Sequence, residues 1–386
     1  MTPAARVAAA IAVLDEVQSG AAAEQALTRW ARASRFAGSK DRAAVRDHVF
    51  DVLRIFRMAA HLGGGSNGRA LMIGLLRHQG HDPAEFFTGI GHAPEALNAV
   101  ELSFKAPQAP LAVQWNLPDW AVQVLQSDLC ATAEETAMAL QARAPVCLRI
   151  NQQKTDRGKV FTELYKDGIE VTPNLLSQLA LTVTGGARRI RQTAAFLEGR
   201  VELQDASSIA VTDLIPNGAH CLDICAGGGG KSLALAAQGG RDVYAYDIDP
   251  SRMNDLPARA KRAGAHIKRI ASQDLARNAP YDIVLCDAPC SGSGAWRRAP
   301  QGKWTLTPER LLELTAIQDE ILANAAALLA PSGTLVYATC SVFRAENEDR
   351  IERFLNQHKN WKCALSKRFD ITTNGDGFFT AHLTLE

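Results

Sequence analysis

Cys290, in Asp287-Ala-Pro-Cys290, and Cys340, in Tyr337-Ala-Thr-Cys340, each close an apolar run that reads as a core strand. A thiolate can add covalently to an electron-poor carbon and split one high barrier into smaller ones, and a second thiol beside it can help release the product. Upstream, Leu222-Asp-Ile-Cys225-Ala226-Gly227-Gly228-Gly229-Gly230-Lys231-Ser232 joins a strand to a helix through residues whose missing side chains let backbone approach a ligand. Asp247, Asp274 and Asp287 stand at further strand ends, where carboxylates can accept hydrogen bonds from ribose hydroxyls and face a cationic sulfonium. S-adenosylmethionine fits this set better than a dinucleotide, because no hydride-transfer constellation accompanies it. A P-loop is excluded, because no second glycine stands five residues before Gly230.

The two thiols suggest a specific chemistry. Carbon 5 of a pyrimidine is a poor nucleophile, but a thiolate adding at carbon 6 makes the ring enamine-like, so that carbon 5 attacks a sulfonium methyl. Asp287, if protonated by burial beside a thiolate, would hydrogen-bond the ring nitrogen as charge develops. Free cysteine is more often a small buried hydrophobe, which is the preferred reading for Cys221, Cys225 and Cys286. With no Cys-x-x-Cys pair or histidine cluster, no metal site is expected.

These residues need a scaffold that gathers strand ends. From about residue 212 apolar strands alternate with helices: His220–Ile224, Val243–Tyr246, Ile267–Ile270, Ile283–Cys286 and Thr334–Tyr337, with a long helix over Thr307–Leu329 and a closing antiparallel strand within Gly375–Leu383. Such alternation predicts a Rossmann-like doubly wound parallel sheet over 212–386, with ligands at the carboxyl ends of its strands. Neighbouring fourth and fifth strands would bring Cys290 and Cys340 into one cleft. Ahead of it, 145–211 reads as a small α+β module, resembling an RNA-recognition sheet but lacking its stacking aromatics. Residues 1–130 read as all-helical, with Val7, Ile11, Val13 and Leu14, then Val45, Val49, Val52, Leu53 and Phe56, at helical spacing.

A length of 386 residues favours several domains, and a net charge of +1 gives no global nucleic-acid signature. Any basic face must be local: residues 1–77 hold eleven Lys and Arg against six acids. Trp296-Arg-Arg-Ala-Pro-Gln-Gly-Lys-Trp304 interleaves cations with indoles, as expected where phosphates and unstacked bases are held. Eight cysteines spread along the chain fit reduced intracellular thiols, so a cytoplasmic monomer is expected, with no membrane span.

The motifs together resemble Sun-family (RsmB-like) RNA cytosine-5 methyltransferases. Cys225–Ser232 is similar to the family's donor loop, Asp287–Gly294 to its fourth motif and Tyr337–Ser341 to its sixth; Gln204–Ser208 and Asp376–Phe379 also match. The helical part resembles the family's NusB-like RNA-binding domain. The resemblance implies S-adenosylmethionine as cofactor, Cys340 as nucleophile, Cys290 as the thiol that helps eliminate product, and Cys225–Lys231, Asp247, Asp274 and Asp287 as donor contacts. It implies RNA as partner, 16S ribosomal RNA before transfer RNA; a non-catalytic RNA-binding assembly factor is the alternative from another class. One departure stands out: the family has Ala-Pro where this chain has Gly227-Gly228, and losing a proline adds unfolded-state freedom of roughly 0.4–1 kcal/mol for an unchanged loop geometry, implying weaker donor binding or a disordered empty loop.

Overall fold

The structure, a computed structural model, describes residues 1–386 as two compact units. Met1–Ala142 form the first together with Trp296–Thr305; Arg143–Ala295 and Leu306–Glu386 form the second.

In the first unit, helices Pro3–Gln18, Ser39–Arg54 and Gly68–His78 turn Val7, Leu14, Val49, Leu53 and Leu71 onto one core. Spacings of three and four place these residues on single helix faces. Ile11 and Phe56, expected among them, are only partly buried. Helix Gly68–His78 packs so closely on Phe56–Gly63 that a Cβ at Gly74 would lie 1.8 Å from the Ala59 carbonyl oxygen. The local basic excess gathers partly in one groove of about 640 Å³, where Trp30 sits among Arg32, Arg35, Arg42 and Arg46.

Trp296–Trp304 does not form the open cation-and-indole surface expected of it. Trp296 and Arg297 are each 2% exposed and Lys303 is fully buried. A helix leaves its last carbonyls without intrahelical partners, and this segment supplies them to helix Ser39–Arg54. The Trp304 indole N–H donates to the Leu53 carbonyl at 2.6 Å and the Lys303 ammonium to that of Arg54 at 2.9 Å. Burial drags the Lys303 pKa down to about 7. One cation and one indole, Lys303 and Trp304, cap the helix, with Arg298 left exposed.

The second unit contains two sheets. β1 (Val146–Ile150), β2 (Glu170–Pro173), β3 (Ala180–Gly185) and β4 (Val201–Leu203) form an antiparallel sheet in the order β2-β3-β1-β4, with helices Arg157–Lys166 and Ala194–Leu197 between strands. This is the βαββαβ ferredoxin-like arrangement. β5 (His220–Asp223), β6 (Asp242–Ala245), β7 (Ile267–Arg269), β8 (Tyr281–Asp287), β9 (Leu329–Thr339), β10 (Trp361–Phe369) and β11 (Phe378–Leu385) form the larger sheet in the order β10-β11-β9-β8-β5-β6-β7. The pairs from β7 across to β9 are parallel, whereas β11 runs antiparallel to β9 and β10. The expected strands and closing strand are present; the long helix is shorter than expected, Pro308–Ala326, because Leu329 already begins β9. β10 lies at the sheet edge and was not signalled in sequence. Chain order reverses between β5 and β8, and this switch point opens a crevice at the carboxyl ends of the strands.

Candidate functional site

Parallel pairing of β8 with β9 sets Asp287 opposite Ala338, so the loops that leave both strands start side by side. Cys290 and Cys340, 50 residues apart in sequence, meet with their sulfurs 3.5 Å apart. Both are half-buried. The hydrogen bond with Cys340, burial and the charge of Glu346 together hold the Cys290 thiol well above the usual thiol range. Burial raises Cys221, Cys225 and Cys286 as well, so they behave as inert hydrophobes.

A network of hydroxyls fixes the thiol pair. Glu346, fully buried, accepts from the Ser291 amide at 2.8 Å, from Gln318 Nε2 at 3.1 Å, from Ser341 Oγ at 2.5 Å and from Ser291 Oγ. Ser293 Oγ lies 2.9 Å from Ser341 Oγ and accepts from the Val342 amide. The Gly294 amide donates to the Cys340 carbonyl at 2.9 Å. Each thiol is thus followed by a serine tied to the same carboxylate.

Asp287 is 2.8 Å from the Lys231 ammonium. This differs from the protonated carboxyl expected of Asp287: the donor at this point of the cleft is the buried ammonium, and the carboxylate accepts. Burial alone would pull the Lys231 pKa down, but Asp287, with Cys340 adding, reverses that and holds it above its ordinary value.

The glycine turn forms the other half of the cleft. Gly227 and Gly229 take positive φ, +50° and +78°, and a Cβ at Gly229 would lie 2.2 Å from Leu256 Cδ1. Asp247, 2% exposed, accepts from the Gly227 amide at 2.9 Å and pairs with Arg252 at 3.2 Å. Arg259 donates to the Gly228 carbonyl. Next to the turn is a cavity of about 530 Å³, walled by Ile224, Cys225, Tyr246, Asp247, Leu275 and Pro289 among others. Asp274 is turned aside: it accepts from the Ala271 amide of its own turn and pairs with Arg277, while its neighbours Ser272 and Leu275 line the cavity.

Sequence reasoning passed over Asp223, although it ends β5 as Asp287 ends β8. It is 1% exposed, accepts from Ser232 Oγ at 2.6 Å with one oxygen, and leaves the other without a partner. Burial pushes its pKa up to about 7. Its signal was its place inside the glycine motif. Glu346 had none, standing six residues beyond the Thr-Cys motif in an unremarked turn. An orphaned carboxylate oxygen, Asp247 and the apolar cavity together fit a nucleoside bearing a cationic sulfonium and an ammonium group.

Residues 213–384 match the family model described as "16S rRNA methyltransferase RsmB/F", and residues 117–188 match a ferredoxin-like domain of RsmF/B-like methyltransferases. Proteins named ribosomal RNA small subunit methyltransferase B are similar: 33% identical in Photorhabdus laumondii, over 69% of this chain and 66% of that one. A Synechocystis protein named "Probable ribosomal RNA small subunit methyltransferase B" is 32% identical over 71% of this chain and 68% of its own. The chain therefore spans about two thirds of the length of the curated relatives it matches. A crystal structure of PH0851 shares the fold, with a TM-score of 0.78 at 24% identity over 100% of this chain and 99% of that one.

Proposed function

The chain belongs to the RsmB/F methyltransferase family, and on that premise we propose that it transfers a methyl group from S-adenosylmethionine to carbon 5 of a cytosine in RNA, 16S ribosomal RNA in the first place. The observation that carries the proposal is the sulfur pair, 3.5 Å apart in the crevice at the switch point.

When bound, S-adenosylmethionine supplies an electrophilic methyl; the cavity beside Asp247 and the free oxygen of Asp223 would hold it. Cys340, closer in charge environment to the Lys231 ammonium, adds as thiolate to carbon 6. Lys231, held by Asp287, is the donor available to the ring as negative charge develops. Forming the carbon–sulfur bond removes the Cys340 charge, and with it part of what holds the Cys290 proton on. Cys290 can then give its proton to water and, as thiolate, accept the carbon 5 proton; the carbon–hydrogen pair restores the ring double bond as Cys340 departs with the electron pair of the carbon–sulfur bond. The target must be looped or flipped out, since a base stacked in a duplex cannot reach the crevice.

On the helical unit, the groove of Arg32, Arg35, Arg42 and Arg46 is the surface assigned to RNA phosphates. Reversing Arg32 and Arg35 to Glu should weaken RNA binding and lower its salt slope by roughly 0.7 per lost phosphate contact on single strands. An unchanged slope would remove this assignment.

Incubation of the chain with methyl-labelled donor and ribosomal RNA, followed by mapping of 5-methylcytosine, tests the whole proposal. Incorporation at a cytosine supports it; no transfer to ribosomal or transfer RNA would leave the assembly factor.

A further inference from the structure

Cys290 and Cys340 lie on separate loops, and nothing covalent sets the distance between them. Ser291 and Ser341 follow them directly, and both serines donate to Glu346. The same carboxylate takes the Ser291 amide and the Gln318 amide nitrogen, and Gln318 in turn donates to the Pro289 carbonyl at 2.9 Å, just ahead of Cys290. From the other side the Tyr337 hydroxyl donates to the Glu346 carbonyl at 2.7 Å, and Asn347, the next residue, donates to the Ser341 carbonyl at 3.0 Å. One buried side chain therefore joins the exit of β8 to the exit of β9.

Glu346 is fully buried, and every donor to its carboxylate is neutral. Burying a carboxylate without a cation is costly unless several donors compensate. A glutamine could take the two N–H bonds with its oxygen and turn its NH2 toward the two hydroxyls. A purely structural tie would not require the charge.

We propose that Glu346 is a positioning residue that holds Cys290 and Cys340 in sulfur contact by tying together the serines that follow them. Its charge has a second effect. Cys290 faces Cys340, Glu346 and Tyr337, while Lys231 and Asp287 face the pair from the Cys340 side. The Glu346 carboxyl adds to what keeps the proton on the Cys290 thiol, after the hydrogen bond to Cys340 and burial. The inference rests on the reading of Cys340 as nucleophile, but its test does not use RNA.

The full chain is oxidised mildly with diamide, and the rate of Cys290–Cys340 disulfide formation is followed by mass spectrometry for wild type, Glu346→Ala and Glu346→Gln. Glu346→Gln should stay within about threefold of wild type, and Glu346→Ala should be at least tenfold slower. In parallel, iodoacetamide labelling of Cys290 is measured against pH. With disulfide formation within threefold of wild type showing that the thiol pair is intact, Glu346→Gln should shift its labelling to lower pH. If Glu346→Ala fails to fold, as judged by circular dichroism, the labelling shift in Glu346→Gln carries the test. Wild-type disulfide rates in a folded Glu346→Ala, or an unmoved labelling profile in Glu346→Gln, overturn the proposal. Absence of methyl transfer, with both chemical results as expected, would count against the proposed activity and leave the tie standing.

Discussion

The two halves of the cleft are held by different kinds of bond. Around β8 and β9 the thiols rest on buried hydroxyls and one buried carboxylate, a closed network with no solvent-facing member at its centre. Around β5 and β6 the glycine turn is tied to Asp247 and to two arginines on the outer side of the loop, Arg252 being more than half exposed. Groups that must make and break a covalent bond have to be preorganised, because a small misplacement is multiplied in the rate. Groups that admit and release a nucleoside need only temporary partners, and under the proposed function Asp247 would exchange its bonds to Gly227 and Arg252 for a ribose.

The sharpest way to break this contrast is to remove a thiol. Cys340→Ala should abolish methyl transfer, and Cys290→Ala should let a covalent RNA adduct accumulate, visible as a shifted band on a denaturing gel; the reverse pattern would exchange the roles of the two thiols. A smaller effect is expected in the glycine turn. Gly229→Ala forces a side chain into the left-handed region and against Leu256, so thermal unfolding should show a loss of roughly 1–2 kcal/mol, with donor binding lost in calorimetric titration.

Titration of Asp223 tests how far charge governs the donor half. Its folded value is raised to about 7 from an ordinary 3.8, so the folded protein holds a proton there that the unfolded chain lacks between those values. Stability contributed by this group is therefore greatest at low pH and is lost as pH rises toward 7. A cationic donor prefers the ionised form, so its affinity should rise, by roughly tenfold for one charge-assisted contact, as pH climbs through 7 and then level off. Asp223→Asn should bind weakly with a flat profile. The smallest effect concerns Gly228, whose φ is not positive and whose amide has no partner. Gly228→Pro should cut unfolded-state freedom by roughly 0.4–1 kcal/mol and tighten donor binding about two- to fivefold; weaker binding would mean that the loop must move.

The parallel strands were legible because buried strands read as short apolar runs between glycines and prolines, and strand order then placed the two thiols together. The edge strand β10 was missed: Trp361–Phe369 carries three Lys and Arg residues, and of its nine positions Phe369 alone is buried. Glu346 could not be seen, since a carboxylate's partners depend on which loops the fold joins. Trp296–Trp304 was misread for a physical reason, because indoles and cations serve a helix C-terminus as well as they serve phosphates. Asp287 ends its strand as expected, but its partner Lys231 decides what it can do, and that pairing exists only in three dimensions.

The capping of helix Ser39–Arg54 by Lys303 and Trp304 has a consequence for how the protein is made. A ribosome finishes Ala142 long before it reaches Thr305, and at roughly 5–20 residues per second the interval is about ten to thirty seconds. During that wait the nascent helices lack their final piece, and the open carbonyls and the apolar floor beneath Trp304 are exposed to chaperones. Fragments cut after Ala142 for expression would carry this gap permanently.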